Sequence, residues 1–93
     1  MPLSNHARRV LSVALKSNKA GDNVADIIDA DGGTLSKYAK DRLISCCANR
    51  AVGVGIADAI DNDTVLTGRE VNVLATMLGS RTVAAEISAE LGS

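Results

Sequence analysis

Ala25 to Leu43, ADIIDADGGTLSKYAKDRL, is repeated in altered form at Ala57 to Leu74, ADAIDNDTVLTGREVNVL. In both stretches an acidic, Ile-containing segment runs into Asp-x-Asp, crosses a short connector and restarts at Leu-Ser or Leu-Thr. Working outward, residues 3–31 align on residues 35–63 without a gap. Identical pairs fall at Leu3/Leu35, Ser4/Ser36, Ala7/Ala39, Leu11/Leu43, Ala25/Ala57, Asp26/Asp58, Ile28/Ile60, Asp29/Asp61 and Asp31/Asp63, where ordinary residue frequencies give about two by chance. Laying residues 35–60 on residues 66–91, one residue closer, pairs Leu43 with Leu74, Arg50 with Arg81, Val52 with Val83 and Ile56 with Ile87. Self-similarity at this period marks stacked supersecondary units, none of which buries its apolar face alone.

Each copy reads as two helices. Ser4, Ser36 and Thr67 each follow a Leu and take the N-cap position of the first helix, their side-chain oxygens meeting free amides of the first turn. Apolar residues then recur at Ala7, Val10, Leu11, Ala14 and Leu15, at Ala39, Leu43, Cys46 and Cys47, and at Val71, Leu74, Met77 and Leu78. That is helical spacing, one inward stripe per copy. The second helices carry Val24, Ile27 and Ile28, then Val52, Ile56 and Ile60, then Val83, Ile87 and Leu91, after turns expected at 18–23, 49–50 and 79–81. The expected fold is all-α: one domain, 1–93, of about six short helices in three tandem αα-hairpins, 3–34, 35–65 and 66–93, forming a compact bundle or a short α-solenoid. Equivalent positions should share burial, Leu11 with Leu43 and Leu74, and Ile28 with Ile60 and Leu91.

Composition narrows the function classes. The net charge is −1, and Tyr38 is the only aromatic residue; neither nucleic acid nor a membrane is signalled as a partner. The start of the chain has only a short apolar stretch after Arg8 and Arg9 and no convincing cleavage site, so a soluble, cytoplasmic protein is expected. Read from an aspartate at 29 or 61, a calcium loop would need Gly at its sixth position and an acid at its twelfth. Those positions hold Thr34 and Lys40, or Leu66 and Asn72, so the acids are read as helix ends and turn formers. Cys46 and Cys47 align with Ala14-Leu15 and Met77-Leu78 and are read as small buried hydrophobes; with His6 distant in sequence they do not make a zinc set. No catalytic, cofactor or metal residue is assigned. Gly53 and Gly55 lack a dinucleotide fingerprint and are read as points of close helix approach.

Charge is segregated along the chain. All ten basic residues read as lying on first helices or the turns after them, and of the eleven acids only Asp41 and Glu70 lie outside second helices and connectors. If the hairpins stack in parallel, a basic face of Arg8, Arg9, Lys16, Lys19, Lys37, Lys40, Arg42 and Arg50 opposes an acidic one, a candidate interaction face.

Two resemblances bear on function. LTGREVNVLATML at 66–78 resembles the start of the LuxR-type helix-turn-helix family, which opens Leu-Thr-x-Arg-Glu-x-x-Val-Leu; it implies a DNA-binding regulatory protein with its recognition helix after Leu91. The internal repeat accounts for the same segment without DNA. The Leu-Ser/Thr starts at Leu3, Leu35 and Leu66, each leading to a Val/Ile-rich second helix, also resemble Ala-rich repeat segments of structural proteins of tailed bacteriophages. That resemblance implies a virion component such as a capsid decoration, cement or head-fibre base protein. The leading expectation is a non-enzymatic assembly or protein-interaction module that self-associates or joins a larger particle. The alternative is a small helix-turn-helix DNA-binding regulator.

Overall fold

Side-chain caps decide where the helices begin. In the computed structural model, which describes residues 2–92, the helices are α1 (Asn5–Leu15), α2 (Asn18–Asp29), α3 (Lys37–Cys46), α4 (Arg50–Asn62), α5 (Gly68–Leu78) and α6 (Arg81–Glu90). Ser4, Ser36 and Thr67 accept from the amides of Ala7, Ala39 and Glu70, all at 3.1 Å. Ser17, Asn49 and Ser80 stand at equivalent positions and do the same for Ala20, Val52 and Val83. Each such cap is worth about 1 kcal/mol. The second set corrects one expectation. Residues 18–23 form the first turns of α2 rather than a connector, because Ser17 caps a helix that begins at once. Lys19, Arg50 and Arg81 therefore belong to second helices, not to first ones.

The three hairpins close into a ring. α1 packs on α2, α3 on α4 and α5 on α6; α2 then meets α3, α4 meets α5, and α6 returns to α1. Of the two arrangements left open by the sequence, this is the bundle. Its radius of gyration of 11.1 Å is below the about 12 Å expected for this length. Two of the three junctions seal the free N-cap amide of the following hairpin. Ser36 N donates to Asn23 Oδ1 at 2.9 Å and Ser4 N to Glu86 Oε2 at 2.7 Å, the latter joining residues 82 apart in sequence. At the junction between, the position of Asn23 and Glu86 holds Gly55, and Glu70 supplies the acceptor instead, taking Thr67 N at 2.9 Å. A Cβ on Gly55 would land on the Glu70 carboxylate.

The Asp-x-Asp steps work as clasps. Leu3 N donates to Asp29 Oδ1 and Leu35 N to Asp61 Oδ1, both at 2.8 Å, tying the end of each of the first two hairpins to its own beginning. The second acid of each pair, Asp31 or Asp63, takes the left-handed conformation that ends the turn (φ 60° and 52°), which Asp tolerates better than most residues. The extra residue of the first repeat lies in its connector, where Gly33 N donates to Asp61 O at 2.9 Å and holds the two connectors together.

Burial follows the repeat. Leu3, Leu35 and Leu66, then Leu11, Leu43 and Leu74, then Val24, Ile56 and Ile87, then Ile28, Ile60 and Leu91 are all buried. Among the described residues no buried side chain is polar or charged and no strand occurs. Small residues set the helix spacing inside each hairpin. Gly21 on α2, Gly53 on α4 and Ala84 on α6 are equivalent and all buried, and a Cβ on Gly21 would lie 2.6 Å from Ser12 Cα of α1.

Candidate interaction face

The eight basic residues proposed as one face are largely taken up inside the chain. Arg8 donates to Asp26 at 2.6 Å and to Asp29 at 3.0 Å, and Lys40 lies 3.9 Å from Asp58 at the equivalent place in the second hairpin. The third copy has Val71 and Ala89 there. The hydrogen bond to Asp26, opposed by burial and helped by the neighbouring charges of Asp26, Asp29 and Asp22, pushes the Arg8 pKa above the ordinary arginine value. Arg42 reaches across the junction to the exposed carboxyl end of α1, with Nε and Nη2 donating to Leu15 O at 2.9 and 2.6 Å, where a cation also complements the helix dipole. Lys37 pairs with Asp41 one helical turn on, and Lys19 stands 5.9 Å from the Tyr38 ring centre. Arg9, Lys16 and Arg50 are exposed. In the first two hairpins Arg8 and Lys40 of the first helix thus meet acids of the second, because a hairpin sets the two helices side by side.

An apolar face lies where α1 and α3 flank α5. Val10, Val13 and Ala14 of α1 face Met77 and Leu78 of α5 across a groove of about 520 Å³, with His6 and Arg9 at its rim. On the other side of α5, Cys46, Cys47 and Ala48 face Val73 and Met77 across a groove of about 550 Å³. Met77 is a wall of both. Val10 and Ala14, expected in the inward stripe, are only half-buried, since α1 is shared between the core and this groove. Val13 is 72% exposed, and its equivalents are the polar Ser45 and Thr76. That mismatch between copies was the one signal in the sequence that could have found it.

The cysteines depart from expectation in the same place. Cys47 is buried but Cys46 is only half-buried, and both are free thiols. Burial, with Cys46 adding to it, pushes the Cys47 thiol above its ordinary range. A thiol whose folded pKa is raised favours the fold below the unfolded thiol pKa, and that contribution is lost as pH rises through the folded value. Because the thiolate is the nucleophile, alkylation at pH 8 should show one fast and one slow thiol, the slow one at least about tenfold slower and retained in Cys46→Ser. Equal rates in the folded protein would refute the assignment.

The LTGRE segment is a helix start. Thr67 Oγ1 accepts from Glu70 N while Glu70 Oε1 accepts from Thr67 N, a reciprocal capping box. Arg69 between them is exposed. Of the Asp-x-Asp carboxylates, Asp29 accepts from Leu3 N and Arg8, Asp61 from Leu35 N and Asp63 from Gly92 N, while Asp31 is exposed. Among the described residues no helix is long and apolar enough to cross a membrane. Compared with protein-family models, curated proteins and solved structures, the chain matches none.

Proposed function

We propose that the chain is a non-enzymatic interaction or assembly module that docks against protein through the α1/α5 face. The observation that carries this reading is Val13, exposed at 72% beside Val10, Ala14 and Met77, where the other two copies carry hydroxyl side chains. An exposed valine on a groove walled by the half-buried Val10, Ala14 and Met77 supports contact with a partner there. Closure of the ring moves the attachment from the ends of an open stack to the side of the bundle. The repeat's resemblance to structural proteins of tailed phages gives the reading its specific form, a capsid decoration, cement or head-fibre base protein.

Val13→Glu tests it. The substitution leaves core and caps untouched, so stability should change by no more than about 0.5 kcal/mol, while association measured by light scattering after size exclusion, alone and with purified capsids, should be lost. A dilution-resistant monomer that joins no larger particle would count against the proposal. A salt-dependent shift of duplex DNA, abolished by Arg69→Ala, would favour the helix-turn-helix reading instead.

A further inference from the structure

We propose that Cys46, Cys47 and Met77 form a three-sulfur site for a soft metal ion of the copper(I) class. The third helix breaks the repeat. α1 and α5 run through Leu15 and Leu78 and end on left-handed caps, Lys16 and Gly79. By the same register α3 would include Cys47, but it stops at Cys46, and Cys47 is extended (φ −80°, ψ 140°). Successive residues of a helix point about 100° apart. The early stop turns Cys47 out of that register, and both cysteines line one groove with Met77.

The Cys47–Met77 sulfur spacing fits a shared ion. Cys47 Sγ, which donates to Met77 Sδ, lies 3.7 Å from it. Two sulfurs each about 2.3 Å from one metal stand roughly 3.8 Å apart at a tetrahedral angle and roughly 4.0 Å apart at the trigonal angle of a three-sulfur set. An ion replacing the thiol proton therefore needs little movement of either side chain. The groove is open to solvent along Cys46, which gives the ion a way in.

The donor set selects the ion. Among the described residues no group of three or more His, Cys, Asp and Glu side chains could hold a metal, and His6 lies at the rim of the other groove. That leaves hard ions without carboxylate ligands and zinc short of its four nitrogen or sulfur donors; the groove's other polar side chains, Ser45, Asn72 and Thr76, are engaged with Asp41 O, Arg81 and Asn72 O. Two thiolates and a thioether are the soft set that favours copper(I). On binding, the two S–H bonds are lost, two metal–sulfur bonds form, two protons pass to solvent, and Met77 donates a lone pair unchanged. No oxidation is involved.

The test is an anaerobic titration of the reduced, full chain with copper(I) against bicinchoninate. The expected result is one copper per chain withdrawn from the chelator, with affinity falling about tenfold in Met77→Leu and about a hundredfold in Cys46→Ala. Cys46→Ala is suited to keeping the fold, since Ala14 fills the equivalent position in the first hairpin, and Met77→Leu conserves volume; circular dichroism verifies both. No withdrawal of copper, one copper per two chains, or a Met77→Leu affinity within twofold of the parent would each overturn the site. The outcome is independent of the α1/α5 docking reading, because Val13→Glu should leave copper affinity unchanged.

Discussion

Leu43→Ala is expected to destabilise the protein by about 3–4 kcal/mol, the usual cost of emptying a fully buried leucine site. Leu43 is 0% exposed, and its equivalents Leu11 and Leu74 are each 1% exposed. A chain of this size has roughly 5–14 kcal/mol of stability in total, so the melting temperature should fall by about 15–25 °C. The comparison among the three positions carries the structural information. In an open stack the end units fray independently, and a cavity in a terminal hairpin costs less than one in the middle. In a closed ring there is no terminal hairpin. Leu11→Ala and Leu74→Ala should therefore match Leu43→Ala within about 1 kcal/mol, each with a single cooperative transition and an unchanged denaturant slope. Thermal and urea unfolding followed by circular dichroism decides the matter. A mild effect at Leu11 and Leu74 with a severe one at Leu43 would mean that the contact of α6 with α1 does not hold in solution.

The helices and their burial were legible because they depend on local features. A Leu followed by Ser or Thr starts each first helix, and residues that repeat in register, such as Ile28, Ile60 and Leu91, share an environment. Closure was not legible, since it rests on Glu86 reaching the Ser4 amide from 82 residues away, and no periodicity encodes that. The charge pattern was read as two opposed surfaces. The hairpin instead brings Arg8 against Asp26 and Lys40 against Asp58, so segregation along the chain becomes pairing across it. The composition of residues 18–23, with Asn18, Gly21, Asp22 and Asn23, suits a turn, yet a helix runs through them because Ser17 caps it and Gly21 must pass close to α1. The groove was hidden for a related reason: apolar residues at helical spacing indicate burial, but not whether an adjacent helix or solvent covers the outer edge of the stripe. The paired sulfurs depend on where α3 stops, which the aligned copies place one residue later.

The largest effect expected from adding a single methyl group is at Gly21. A Cβ there would lie 2.6 Å from Ser12 Cα and 2.8 Å from Ser12 N, and it would also collide with Ser12 Oγ. Alanine is favoured over glycine in a helix by about 1 kcal/mol, but overpacking a filled site costs about 1–3 kcal/mol or more. The atoms in the way at Gly21 are backbone, which cannot turn aside, so α1 and α2 must separate and open the core along Leu11, Leu15 and Val24. Gly21→Ala should thus cost about 2 kcal/mol net, or a fall of about 8–16 °C in melting temperature. Gly53 is the matched control. Its neighbours are Ile44 Cα at 3.1 Å, Cys47 Cβ at 3.3 Å and Ile44 O at 3.4 Å, contacts that a helix shift of a few tenths of an ångström relieves, so Gly53→Ala should lie within about 1 kcal/mol of neutral. The third hairpin already carries Ala84 there, fully buried. Ser12→Ala removes only the hydroxyl, so adding it to Gly21→Ala should recover little of the loss. Full rescue by Ser12→Ala, or equal costs at Gly21 and Gly53, would show that helix spacing in the first hairpin is not set by backbone contact at this crossing.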